Sequence, residues 1–478
     1  MGFYGRIISL DSANNGASDS QEAIFLAHNK AVFETMPVPK ALAALAVPSI
    51  ISQLITLAYN IADTYFIGCT NDPYKIAAVS LLYVLVAIMG GLSNLFGVGG
   101  GSLISRLLGA QKEGEAKKAC AFSFYGSIAT ALVYSIGCLV FMDPLLRWMG
   151  ASENTLGYAS SYAFYVIVLG GLPAILSMSM AHLLRSEGYA KQASFGLGMG
   201  GILNILLDPL FMFVLLDPGL EVTGAAIATL LSNICALVYF LLMFARLRGK
   251  TVLSLSFRLF LPGTCYAKEI LSTGFPSALN TFLSCFCILL MNAQTAAYGD
   301  IPVAAFGIVK KIDMLPMNVG MGLCQGMMPL VAYNYAAKNY TRMKAAADCA
   351  RFWGMGFACL CIVCYELLAG PIVSLFIQET ETLTLGISFL RICCLAVPLM
   401  VCNFQMTYML QAMGKGRPSL LLTACRQGII TIPMIYLLDH WFGLYGVVWS
   451  QGVSDALTVI VAFILYRKVC RDLFRSLS

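Results

Sequence analysis

The chain has 478 residues, of which 59% are hydrophobic and only 11% charged, with a net charge of +6 and a mean hydropathy of +0.79. Soluble domains carry about a quarter charged residues, so this composition excludes one and points to a polytopic membrane protein. The basic residues are spread over separate loops and form no single stripe, which argues against a nucleic-acid partner.

The first forty residues are polar, include "SANNGASDSQE", and hold no apolar core, so no cleavable signal peptide is expected. Twelve apolar runs follow, at 41–68, 76–104, 119–141, 158–184, 193–216, 223–245, 268–298, 303–332, 347–369, 384–412, 419–438 and 443–466. Each is long enough to cross a hydrocarbon core about 30 Å thick as a helix. None has the dyad alternation of a barrel strand. The expected division is a cytoplasmic segment 1–40, an amino-terminal lobe 41–246, an inter-lobe loop 247–266, a carboxy-terminal lobe 267–466 and a basic tail 467–478. No segment is long enough for a further soluble domain, so no built-in ATPase is expected. "RGKT" at 248–251 lacks the upstream glycine of a phosphate loop, and "GVGGGS" at 97–102 lacks the βαβ context of a nucleotide loop.

Alternate connections differ in charge. One set holds Arg106, Lys112, Lys117 and Lys118, then Arg185 and Lys191, then Arg246, Arg248 and Lys250, and so on to the tail. The other holds little basic beyond Lys75 and Arg147 and carries Asp72, Asp143, Glu153, Asp217, Glu221 and Asp439. By the positive-inside rule both termini face the cytoplasm of a multi-pass cell-membrane protein. Most of the 17 cysteines lie inside the spans and read as small packing residues, Cys361 and Cys364 included. With only His28, His182 and His440 available, a Cys/His metal site is not expected, nor is a bound cofactor.

The chain repeats itself. Ala77-Ala78 lies over Ala304-Ala305, and Gly109-Ala110 over Ala336-Ala337, both at an offset of 227 residues. Pro48-Ser49 falls over Pro276-Ser277, "SEGYAK" at 186–191 over "AMGKGR" at 412–417, and "DPLFMF" at 208–213 over "IPMIYL" at 432–437. The two six-span halves share one topology, so the axis relating them runs along the membrane normal. Two such lobes that rock about a central site form a secondary transporter.

The asymmetry between the halves is informative. Asp63 and Asp208 sit in apolar spans of the first half, where the second half aligns Leu290 or Met291 and Ile432. A charged side chain at a helix centre costs about 2.5–3.5 kcal/mol on insertion scales. Such an acid pairs with another group, binds a cation or takes up a proton. Asn204 is four residues before Asp208 on the same helix face and adds a neutral oxygen. Pro209 frees a carbonyl one turn back, so the oxygens suit Na⁺ as well as H⁺. Pro48, in the same span as Asp63, permits a bend. In the second half, Lys310, Lys311, Asp313 and Arg426 form either a pairing network with Asp455 or a polar wall on the substrate cavity. Glu366 and Arg391 fit either role.

The runs "MPVPKALAALAVPSIISQLITLAYNIADTYFIG" (36–68), "AAVS" (77–80), "GVGGGSLISRLLGA" (97–110), "LRSEG" (184–188), "NILLDPLF" (204–211), "GAAIAT" (224–229) and "QGMMPLVAYNYAA" (325–337) resemble the multidrug and toxic compound extrusion family, in its DinF-like bacterial branch. The resemblance covers nearly the whole chain from about residue 36. It implies an all-α, V-shaped fold of twelve transmembrane helices in two six-helix lobes. It also implies a monomeric antiporter in the lipid bilayer that exports small cationic or amphipathic drugs in exchange for H⁺ or Na⁺. Carried over, the cation site falls on Asp63, Asn204, Asp208 and Thr229, and the bending proline on Pro48. Tyr59, Met178, Met180, Met406 and Tyr408 are expected on the drug surface, where Met and aromatic side chains fit many shapes. The alternatives are a lipid-linked precursor flippase, an exporter of a native metabolite, or a non-transporting membrane receptor or enzyme.

Overall fold

The computed structural model describes residues 31–475; the polar run 12–22, His28 and residues 476–478 lie outside them. The described chain is helical, without strands. Twelve helices follow in order. They are α1 (Val38–Gly68), α2 (Pro73–Gly109), α3 (Glu113–Val140), α4 (Glu153–Leu169 with Gly171–Ser186), α5 (Ala190–Leu215), α6 (Glu221–Arg246), α7 (Ala267–Ala296), α8 (Asp300–Ala336), α9 (Tyr340–Ser374), α10 (Thr380–Ala412), α11 (Gly416–Phe442) and α12 (Leu444–Arg475).

Ten of the twelve are long and apolar enough to cross a membrane as single helices, and α4 joins them as a span bent by 46°. The bend follows a π-helical turn at Phe164–Leu169 and precedes Pro173. The remaining helix, α8, has 37 residues and is long enough to span, but carries Lys310, Lys311, Asp313 and Asn318 along its length. The predicted twelve-helix, two-lobe architecture is thus present.

The lobes join like the closed end of a V, and there one buried cluster unites Ala41, Leu42, Leu45 and Ala46 of α1 with Met327, Leu330 and Val331 of α8. Across the join α1 packs on α8 and α2 on α7. Every hydrogen bond between lobes among the described residues lies toward the basic end of the helices. Ser102 of α2 donates to the Gln411 carbonyl at 2.6 Å, and Arg106 reaches Glu269 at 3.5 Å. Arg342 of α9 holds the carbonyls of Phe33 and Met36 at 2.7 and 2.6 Å, so the segment before α1 is docked on the opposite lobe. Small residues let the backbones meet. A Cβ on Gly322 would lie 2.6 Å from the Ile50 Cα, and one on Gly274 would collide with the Leu95 carbonyl.

The inter-lobe connection is a strap laid on the amino-terminal lobe. Val252 and Leu253 are buried, Phe260 stacks on Phe122 of α3 at 5.8 Å, and the Tyr125 hydroxyl donates to the Leu255 carbonyl at 2.8 Å. Tyr266 bonds Glu115. Glu187, just past the end of α4, accepts from the Val252 N–H at 2.8 Å, while its Oε2 is buried without a partner. Burial pushes the Glu187 carboxyl up to about 7 from 4.5. The folded protein therefore holds this proton more tightly than the unfolded chain, and stability falls as pH rises from about 4.5 to about 7. Glu187→Gln is expected to flatten this part of the stability profile, as read by thermal unfolding in detergent at a series of pH values. An unchanged slope would remove Glu187 as its source.

Candidate functional site

The site lies inside the amino-terminal lobe, where α1, α4, α5 and α6 converge. Asp208 is fully buried on α5. Its Oδ1 accepts from Asn204 Nδ2 at 3.1 Å, one helical turn back. Its Oδ2 is buried and has no partner. The same Asn204 amide donates to Thr229 Oγ1 of α6 at 3.2 Å. Asp63 of α1 lies close enough to Asp208 for the two carboxyls to interact, and its own Oδ1 is buried without a partner. Tyr162 of α4 stands against both acids and Thr229. The four residues expected at the cation site therefore fall together.

Local sequence explains the placement. Gly198 and Gly201 give α5 a flat face toward α1, where a Cβ on Gly201 would lie 3.0 Å from Ile55 and 3.2 Å from Tyr59, while Gly196 and Gly200 face α6. This close approach brings α1, and hence Asp63, alongside Asp208. Pro209 follows the acid directly, and the helix then turns π-helical at Phe211–Leu215. Pro48 lies inside α1, which remains one helix through it. Pro48 cannot donate to the preceding turn, so α1 has a weak point there.

An unpartnered buried carboxylate oxygen is costly, and two within reach of each other are costlier. Together with the Thr229 hydroxyl they form an oxygen donor set, held in place by the Asn204 NH2 that both Asp208 and Thr229 accept from. Such a set suits a proton or a hard monovalent cation and offers no soft ligand for a transition metal.

The carboxy-terminal lobe is arranged differently. Lys310 and Asp313 are 4.0 Å apart, Arg391 and Glu366 are 3.4 Å apart, and Arg426 Nε lies 2.7 Å from Asp455 Oδ1. These residues form pairs, while Lys311 is exposed. Among the described residues these three pairs are the arrangement of the charges, Lys311 apart.

The residues expected on a drug surface divide. Tyr59 is half-buried beside Asp63, Met178 is 37% exposed, and Met406 is half-buried against the core of its lobe. Met180 and Tyr408 do not face an open surface. Met180 is enclosed among core residues of the amino-terminal lobe. Tyr408 is buried at the closed seam, near Arg185 of the other lobe. Tyr408 lies toward the basic end, where the lobes touch, and spacing within one helix does not reveal that contact; Met180 is covered by its own lobe. Tyr162 was missed, because a tyrosine in an apolar span gives no signal above the other aromatic residues.

The family model described as MatE matches residues 48–210 and again residues 276–437, one copy per lobe. A Staphylococcus aureus (strain NCTC 8325 / PS 47) protein named Multidrug export protein MepA is 34% identical over 436 residues, covering 91% of this chain and 94% of its own. A protein of the same name from Staphylococcus saprophyticus is 31% identical over 433 residues, with the same coverages of 91% and 94%. A solved structure, described as the outward-facing conformation of a multidrug resistance MATE family transporter of the MOP superfamily, superposes with a TM-score of 0.86. It is 26% identical, and the match covers 92% of this chain and 97% of that one.

The two lobes predict opposite responses to removing an acid. Asp63→Leu deletes an unpartnered oxygen and is expected to raise stability by about 1–3 kcal/mol. Asp455→Leu strands a buried guanidinium and is expected to lower it by about 3–5 kcal/mol. Thermal unfolding of the two variants in detergent checks the contrast; a destabilised Asp63→Leu would make that acid part of the scaffold.

Proposed function

We propose, from the premise that this chain belongs to the multidrug and toxic compound extrusion (MATE) family of membrane transporters, that it is an antiporter exporting cationic or amphipathic drugs in exchange for H⁺ or Na⁺. The observation that carries the reading is the pair of unpartnered carboxylate oxygens on Asp63 and Asp208, buried beside the Asn204–Thr229 bridge. The chain works as a monomer in the cell membrane with both termini cytoplasmic. The charge alternation between connections supports that orientation.

The cycle follows from the charges. With the cleft open outward, a cation enters the amino-terminal lobe and neutralises the acids. Asp208 and Asp63 then no longer repel, and α1 closes on α5. Pro48 provides the weak point at which α1 bends. The lobe's cavity shrinks and an amphipathic drug, held against surfaces such as Tyr59 and Met178, leaves to the outside. The lobes then rock about the seam at the basic end to expose the site to the cytoplasm, where the cation departs and the next drug binds. One elementary charge moving down 100 mV supplies about 2.3 kcal/mol, enough to bias such a rocking equilibrium strongly. The similarity to proteins named for multidrug export supports the drug class. A lipid-linked precursor flippase needs free positive charge for pyrophosphate, whereas Lys310, Arg391 and Arg426 each face a carboxylate.

Ethidium efflux from vesicles carrying the wild type or Asp208→Asn, with ΔpH and a Na⁺ gradient imposed separately, tests the reading. Gradient-driven efflux is expected in the wild type and lost in a normally expressed mutant, and the effective gradient names the ion. Unchanged efflux in the mutant would move the coupling site, with Asp313 next. No movement of any cationic dye by the wild type would favour export of a native metabolite or the flippase.

A further inference from the structure

The second repeat places α11 and α12 where the first places α5 and α6. In the first repeat that helix pair carries Asn204, Asp208 and Thr229, and Asp208 keeps an unanswered oxygen. In the second, the helix pair is filled. Arg426 of α11 donates Nε to Asp455 Oδ1 of α12 at 2.7 Å, with side chains only 6% and 2% exposed. Asn403 of α10 donates to the same oxygen and to the Asp455 carbonyl, both at 3.0 Å. Gln451 approaches Oδ2 at 3.5 Å. The guanidinium also lies 4.5 Å over the Phe404 ring.

The local backbone serves this placement. Arg426 sits in a π-helical turn, Cys425–Ile429, whose extra residue turns its side chain off the regular helical register. Thr431 donates its hydroxyl to the Arg426 carbonyl, and Cys287 of α7 donates its thiol to the Gln427 carbonyl at 2.7 Å. From α8, Lys310 and Asp313 face the same interior as a pair of their own. The four charges sum to zero, so the interior of this lobe is neutral without a bound ion. The amino-terminal site has two acids and, among the described residues, no basic group within 4.0 Å of either.

We propose that Arg426 is a tethered cation: between α11 and α12, the helices that correspond to α5 and α6, the protein's own guanidinium answers a buried acid as an exchangeable ion does in the amino-terminal lobe, though at another register, since Asp208 falls over Ile432. A guanidinium does not lose its proton in a protein and cannot diffuse away, so the charge of this lobe is fixed throughout the cycle. Arg426 thereby limits ion exchange to one lobe and sets the number of cations moved per drug. The inference rests on the reading of Asp63 and Asp208 as the coupling site.

The test counts cations bound by the purified full chain in detergent, using ²²Na⁺ binding and pH-stat proton uptake, alongside ethidium efflux from proteoliposomes. Arg426→Met leaves Asp455 without its partner and is expected to bind one more cation per chain than the wild type. Arg426→Lys retains a tethered charge and is expected to keep the wild-type count. The neutral pair Arg426→Gln/Asp455→Asn keeps the packing and is expected to preserve both the count and ion-driven efflux. A folded Arg426→Met with an unchanged count overturns the proposal. So does a folded neutral pair with an altered count or lost coupling, and that pair decides alone if Arg426→Met does not fold. Asp208→Asn separates the two readings: an unchanged count there removes the coupling site, whatever the Arg426 variants show.

Discussion

A carboxylate inside a hydrocarbon slab has no water to solvate it, and each one must be answered by a proton, an ion or another side chain. The carboxy-terminal lobe answers its acids from within, with Arg426 on Asp455, Lys310 on Asp313 and Arg391 on Glu366. The amino-terminal lobe leaves one carboxylate oxygen each on Asp63 and Asp208 buried and unanswered. The rest of the architecture is consistent with that difference. A lobe whose charges cancel internally is a stable partner to rock against. In the proposed cycle, a lobe with an open demand for positive charge changes shape when the demand is met.

The scaffold permits this because stability and function are separated in space. The seam between the lobes is made of backbone in close contact with backbone, through glycines such as Gly274 and Gly322, and of hydrogen bonds gathered toward one end. The acids sit away from it, within one lobe, where a glycine-rich face of α5 brings α1 close. The α1 shift of the proposed cycle would be made at a smooth, small-residue contact, which resists sliding less than interlocked large side chains do.

Much of this was legible in the sequence because hydrocarbon makes polar residues conspicuous. Asp63, Asn204, Asp208 and Thr229 stand out within apolar runs, and the repeat shows that the second half lacks the acids. Lys310 and Asp313 could be paired from their spacing alone. Arg426 and Asp455 could each be seen, but their contact depends on how α11 and α12 pack, and a π-helical turn alters the register at Arg426. Tyr162 was invisible because it is one aromatic residue among many. Met180 and Tyr408 are expected on an open surface because helical periodicity marks faces without saying which face meets the other lobe, as at Tyr408, or neighbouring helices of the same lobe, as at Met180. Sequence alone marks the strap only as an inter-lobe loop, since its order comes from Phe260 and Tyr266 finding partners on α3, a long-range event with no local pattern.

That strap has a consequence for how the chain could be divided. It is covalently continuous with α7, yet it packs on the amino-terminal lobe. Arg248 and Gly249 just before it are exposed, with Gly249 at φ +81°. A protein cut at that turn would separate into two six-helix pieces, one of which carries an arm shaped to the surface of the other. The strap would then act as a clasp between independent polypeptides, of the kind from which a split, co-expressed transporter reassembles.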